Sequence, residues 1–197
     1  GKFKKRHTGT VGKVGCLSFN GNKVITTGGG GMILTNDLTI AKRAKYFTTQ
    51  AKDESIFSVH NEIGYNFRLS NIQAALGLAQ LESLPKLLKK KNLIHQQYKK
   101  KIKKIKGLNI SKTPNHAKSN NWLNILEIEK KMTKSKLLKV IKFLLKKGIE
   151  SRPLWKPCHL QNKYKNFQTY RLKTVNKIYN SRLCLPSSAQ LNIKQQN

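Results

Sequence analysis

Short apolar runs alternate with turn-forming clusters along the first part of the chain. Residues 14–19, 23–27 and 32–35 are rich in β-branched and bulky apolar side chains and read as strands, and residues 38–47 read as a helix. Further on the pattern lengthens. Ser70 and Gln73 stand at capping-box spacing, and apolar positions such as Leu87, Leu88, Ile94, Tyr98, Ile102 and Ile105 then recur with helical period to about residue 106. Pro85 lies inside this stretch and predicts a kink or a restart. Residues 122–128 read as a strand and 133–147 as a helix that Gly148 ends. The pattern divides into part of a large α/β domain over residues 1–84, a connecting helix over 85–106 and a small α+β domain over 107–197.

One turn-forming cluster carries candidate chemistry. Ser18-Phe19-Asn20-Gly21-Asn22-Lys23 runs into Val24-Ile25-Thr26-Thr27 and the glycines Gly28 to Gly31. A lysine amine forms a Schiff base with an aldehyde, while hydroxyls and main-chain N–H groups hold a phosphate. Glycines let the backbone fold tightly beside a bulky ligand. A lysine placed shortly after a serine, next to such a turn, is therefore what a pyridoxal phosphate site needs. A nucleotide-phosphate loop does not fit, because that motif joins glycine directly to lysine and then to Ser or Thr. Here Asn22 precedes Lys23 and Val24 follows it. The residues alone leave open a plain β-hairpin with a glycine turn.

The same segment resembles the cofactor segment of the DegT/DnrJ/EryC1/StrS sugar aminotransferases, which are fold-type I pyridoxal phosphate enzymes with an α/β fold. Three further blocks resemble that family in its own order: Gly64-Tyr65-Asn66-Phe67-Arg68-Leu69-Ser70-Asn71-Ile72-Gln73-Ala74-Ala75, then Ile149-Glu150-Ser151-Arg152-Pro153-Leu154-Trp155-Lys156-Pro157-Cys158-His159-Leu160-Gln161, then Cys184-Leu185-Pro186-Ser187-Ser188. The Asn-Gly-Asn-Lys and Arg-Pro-Leu-Trp-Lys variants are most similar to the members that make UDP-N-acetylbacillosamine or the legionaminic acid precursor.

The resemblance implies pyridoxal 5′-phosphate as cofactor and amino transfer from glutamate to a nucleotide-linked 4-keto-6-deoxy sugar. UDP-4-keto-6-deoxy-GlcNAc is the substrate it favours, for surface glycan biosynthesis, and a GDP sugar, as in perosamine synthases, is the alternative. It implies Lys23 as covalent anchor and acid/base, and Ser18 as a phosphate ligand. It also implies a homodimer with shared sites, in which Asn66 reaches the neighbouring subunit's cofactor phosphate. Arg68, Arg152, His159 and Gln161 are implied as substrate contacts. Each has a plainer reading: Ser18 as a turn hydroxyl, Arg68 as a partner for a surface carboxylate, Trp155 as packing and His159 as a satisfied surface histidine. By the same resemblance the chain starts about halfway through such an enzyme. The missing half normally supplies the carboxylate facing the pyridine nitrogen and the aromatic stacked on the ring, and neither Asp37 nor Asp53 sits in a matching motif. Such a fragment is expected to be inactive alone.

Composition points elsewhere at first. Forty basic residues face eight acidic ones, giving a net charge of +32 and a pI near 10.4, which suggests a nucleic-acid partner. Yet the arginines are only Arg6, Arg43, Arg68, Arg152, Arg171 and Arg182, and the remainder are lysine. Specific readers of nucleic acid favour arginine's bidentate fork, so the expectation is no specific nucleic-acid partner. Abundant Asn and Ile beside Lys are what an AT-rich coding sequence gives. The lysines at 89–91, 99–101 and 103–104 are read as the solvated face of the long helix, and the match of its first part to the family's bridging helix argues against a membrane role. Cys16, Cys158 and Cys184 lack metal or redox spacing, so neither a zinc site nor a disulfide framework is expected. The basic N-terminus has no apolar signal core, and a cytoplasmic protein is the default.

Overall fold

Residues 1–130, 132–192 and 194–196 are described in the computed structural model, and they fall into two units. The first comprises Gly1–Leu88 with Thr113–Asn120, and the second Lys89–Lys112 with Asn121–Asn197.

In the first unit, β1 (Lys2–Phe3) lies between β2 (Arg6–His7) and β6 (Ala117–Lys118) in a small antiparallel sheet. A separate hairpin pairs β3 (Gly15–Ser18) with β4 (Gly31–Leu34), in register from Gly15 opposite Leu34 to Ser18 opposite Gly31. The strand expected over residues 23–27 does not form. Its β-branched residues instead belong to the loop that joins β3 to β4, because the glycines beyond them turn the chain and the threonine hydroxyls bond to main chain. Helix α1 (Leu38–Thr48) starts where Asp37 accepts from the N–H groups of Thr39 and Ile40, at 2.9 and 3.1 Å.

Helix α2 (Asn71–Ile102) opens on the expected capping box. Gln73 N donates to Ser70 Oγ at 3.3 Å, and Ser70 N donates to Gln73 Oε1 at 3.2 Å. The helix continues through Pro85 without a restart, so the proline costs it a main-chain hydrogen bond and not its continuity. No helix among the described residues is long and apolar enough to cross a membrane.

The second unit is built on an antiparallel sheet of β5 (Leu108–Ile110), β7 (Asn124–Ile128), β9 (Arg182–Leu185) and β8 (Arg152–Pro153), in that spatial order. Strand alternation sends Ile110, Leu126 and Leu183 to one face, where Leu137 of α3 (Lys134–Lys146) completes the core. Tyr98 and Ile102 of α2 pack against the same cluster, with Val140 and Ile141 of α3. Thr133 caps α3 by accepting from Lys136 N at 3.2 Å, and a short α4 (Lys173–Tyr179) precedes β9. One lysine departs from the solvated face expected of α2. Lys91 is only 5 % exposed, and its ammonium donates to the main-chain oxygens of Trp122, at 2.8 Å, and of Ser187.

Candidate functional site

The loop at residues 19–30 is closed by its own polar groups. Phe19 N donates to Gly30 O and Thr27 N to Phe19 O, each at 3.0 Å, while Thr26 Oγ1 donates to Phe19 O at 2.9 Å. Lys23 N donates to Asn20 O at 3.0 Å, making the turn that carries the lysine. Thr27 is buried and its hydroxyl bonds Gly29 O. Lys23 itself is half-buried, and Ser18 is exposed at the end of β3.

This loop sits against the start of α2. Gly30 has φ +82°, and a Cβ there would lie 2.4 Å from Leu69 Cδ2, so only glycine serves. A Cβ on Gly77 would come within 2.9 Å of Thr27 Cγ2. Beside Gly21, Gly28 and Gly29, by contrast, space is open to 4 Å. The segment that carries Lys23 and the second sequence block are thus brought together. The Ser18 hydroxyl at the end of β3 and the Lys23 amine on the closed turn after it, with open space at the turn's glycines, suit a phosphate and an aldehyde.

Up to Phe67 the second block is held by main chain, and its side-chain bonds begin at the Ser70–Gln73 capping box. Tyr65 N donates to Phe47 O at 2.7 Å, Phe67 N to Thr48 O at 3.1 Å, and Gln50 N to Tyr65 O at 3.0 Å. Asn66 forms a bridge opposite Thr49. The side chains of Asn66 and Arg68 are left exposed, without a hydrogen-bond or ion-pair partner among the described residues. The rings of Tyr65 and Phe67 stack at 4.9 Å.

The nearby carboxylates all have structural work. Asp37 caps α1. Asp53 accepts from Tyr46 OH at 3.0 Å and from Asn61 N at 2.7 Å. Burial, reinforced by that bond to Asp53, raises the Tyr46 phenol above its ordinary pKa. Glu54 accepts from Ile56 N and Phe57 N at 2.8 and 2.6 Å, holding those apolar side chains out at the tip of their loop. Glu62 takes a bidentate pair from Arg43 at 2.7 and 2.6 Å, which raises the guanidinium pKa further.

The third block belongs to the second unit. Arg152 lies on β8 opposite Cys184 and donates from Nε and Nη2 to Glu150 Oε1, at 3.1 and 2.6 Å. His159 Nε2 lies 2.8 Å from Asn176 Oδ1, and Gln161 Nε2 donates to Lys156 O at 3.3 Å. Beside them the rings of Trp155 and Trp122 stack, 5.7 Å apart and 26° from parallel. Lys91 is the group that sequence reasoning missed. Burial lowers its ammonium pKa, and its position one helical turn before Ile94 and two before Tyr98 was a signal of the inward face.

Comparison with known proteins matches this geometry to a family. The chain is 34% identical to EpsN of Bacillus subtilis over 98% of this chain and 50% of that protein. It is 37% identical to the GDP-perosamine synthase of Escherichia coli O157:H7 over 83% of this chain and 43% of that enzyme. The solved structure of Helicobacter pylori PseC, an aminotransferase involved in the biosynthesis of pseudoaminic acid, is similar with a TM-score of 0.82 at 27% identity, covering 99% of this chain and 53% of that one. The chain therefore spans about half the length of the curated relatives it matches. Its fold is that of the fold-type I aminotransferases. The model of the DegT/DnrJ/EryC1/StrS aminotransferase family matches residues 1–197, and the chain belongs to that family.

Proposed function

We propose that this chain contributes to a pyridoxal phosphate-dependent transfer of an amino group from glutamate to a nucleotide-linked 4-keto-6-deoxy sugar, in the cytoplasm, for surface glycan biosynthesis. The observation that carries the reading is the closed turn that holds Lys23, next to Ser18 at the end of β3, beside open space at Gly28 and Gly29. Pyridoxal phosphate, when bound, supplies an aldehyde and an electron-withdrawing ring. Lys23 would hold the aldehyde through Nζ and would serve as the group that moves a proton at the reacting carbon. Ser18 Oγ would donate to the phosphate. Asn66, whose side chain is exposed without a partner among the described residues, would be the group that reaches the phosphate of a second copy. Arg68 likewise has a guanidinium to offer a substrate carboxylate or phosphate, and Arg152, His159 and Gln161 contact substrate by exchanging their local partners.

A homodimer with shared sites is supported by exposed apolar side chains in the first unit. Ile56, Phe57, Ile63, Phe67 and Ile72 are each more than two-thirds exposed, an apolar area that water does not favour. Asp37 and Asp53 are both engaged in local structure, so neither serves the pyridine nitrogen. For that reason the chain alone takes the cofactor but does not transaminate. The third block favours a UDP sugar. A GDP sugar is the second reading, supported by the 37% identity to a GDP-perosamine synthase.

Absorbance of the purified chain with pyridoxal phosphate, before and after glutamate, tests the reading. Covalent loading that glutamate leaves unchanged is the expected result. Conversion of the loaded chain by glutamate would overturn its inactivity, and absence of loading would overturn the site itself.

A further inference from the structure

In the third block Arg152, His159 and Gln161 are occupied and an aromatic surface is not. Arg152 is paired with Glu150, Gln161 with Lys156 O and His159 with Asn176. Trp155 stands between Pro153 and Pro157, which limit the loop's freedom, and remains 65% exposed although it stacks on Trp122. Beyond Glu150 the sequence contains no acidic residue, so anionic groups meet no like charge from this stretch of chain.

Beneath the pair lies an unusual support. Lys91, buried in the second unit, has no carboxylate partner among the described residues and spends its ammonium on the main-chain oxygens of Trp122 and Ser187. The same stretches of chain are tied again nearby. Asn124 donates from N and Nδ2 to Ser187 Oγ at 2.8 and 3.0 Å, its Oδ1 lies 2.9 Å from His95 Nδ1, and Tyr98 OH donates to Pro186 O at 3.0 Å. A buried ammonium is costly to desolvate, so it is retained where the carbonyls it satisfies must stay in place. Here the fixed carbonyl is that of the inner indole.

We propose that Trp122 and Trp155 form a shelf on which the planar base of a nucleotide sugar stacks, and that Lys91 is the positioning residue of this shelf. The proposal rests on the nucleotide-sugar reading above. Every base has a π face, and an exposed, backed indole offers it a rigid surface at low entropic cost. The phosphates that follow the base suit the acid-free stretch of chain beyond Glu150.

The chain contains two tryptophans, and both are in this stack, so intrinsic tryptophan emission reports on the shelf alone. Titration with UMP or GMP is expected to quench it, whereas ribose 5-phosphate, which lacks a base, leaves it unchanged. By calorimetry Trp155→Ala weakens the nucleotide about tenfold, in line with base stacking on an aromatic, and Trp155→Phe recovers most of the loss. Lys91→Met weakens the nucleotide similarly and abolishes the exciton couplet of the paired indoles in circular dichroism. If Lys91→Met lowers Tm but leaves couplet and affinity intact, its positioning role is overturned. If it does not fold, the two Trp155 variants still decide the shelf. Nucleotide binding that Trp155→Ala leaves unchanged overturns the shelf and spares the nucleotide-sugar reading. Failure of UMP and GMP to bind the unaltered chain overturns both.

Discussion

The Lys23 loop with its neighbouring block and the loop at residues 149–161 hold their polar side chains in opposite ways. In the first, main chain and the threonine hydroxyls close the loop, and Asn66 and Arg68 are left exposed without partners among the described residues. In the second, Arg152, His159 and Gln161 are consumed by local hydrogen bonds, and an indole is what remains exposed. The two units differ in the same sense. The second has a core of Ile110, Leu126, Leu137 and Leu183, whereas the first exposes Ile56, Phe57, Ile63, Phe67 and Ile72. Exposed Asn66 and Arg68 beside exposed apolar side chains are what the dimer proposed above would cover. A loop that engages Arg152, His159 and Gln161 locally leaves its indole as the exposed surface.

The sharpest way to break this contrast is at Lys23. Lys23→Ala should abolish covalent loading with pyridoxal phosphate altogether, read as loss of the bound chromophore, because no other amine is held on that turn. Next in size is the core of the second unit. Leu183 is fully buried, and Leu183→Ala should cost about 2–5 kcal/mol in denaturant unfolding through the cavity it leaves. If the first unit is instead completed from outside, Phe57→Ser should shift the monomer–dimer balance in sedimentation while leaving the unfolding midpoint nearly unchanged.

A smaller effect is expected at Asn66. Losing one hydrogen bond to a charged phosphate should weaken cofactor affinity about tenfold in Asn66→Ala. Mixing that variant with the Lys23→Ala chain should restore loading at low cofactor concentration, since each mixed dimer then has one complete pair. Restoration would establish action across the interface, and unchanged loading would place Asn66 within its own subunit's site.

The smallest effect concerns Lys91 and pH. Its folded pKa lies below the ordinary lysine value of 10.5, so the unfolded chain binds more protons between the two values. The folded state is therefore penalised at neutral pH and gains stability as pH rises through that window toward 10.5. Relative to Lys91→Met, the unaltered chain should become more stable on going from pH 8 to pH 10, measured by urea unfolding. A flat difference would mean that the buried ammonium is solvated as well as in water.

Much of this was legible in the sequence. The capping box at Ser70 and Gln73, the helix that became α1 and the strand that became β7 follow from local spacing, and local spacing decided them. Residues 23–27 were misread as a strand because β-branched residues favour strands wherever a partner is available. None was available there: β4 pairs with β3, and the threonine hydroxyls and the positive φ of Gly28 and Gly30 took the segment into a loop. Lys91 was hidden by its neighbours, since a run of lysines on a helix conceals the one that points inward. The candidate residues were legible as types and as a family pattern. Their engagement with Glu150, Asn176 and Lys156 O was not, because those bonds depend on how a proline-bounded loop folds back on itself.

The central claim is that Lys23 is the lysine that holds the cofactor. Incubation of the chain with pyridoxal phosphate, borohydride reduction and mass mapping of the digested peptides tests it directly. A single stoichiometric adduct on Lys23 is the predicted result, despite the many other lysines available. An adduct spread over the surface lysines, or concentrated on another residue with Lys23 unmodified, would contradict it.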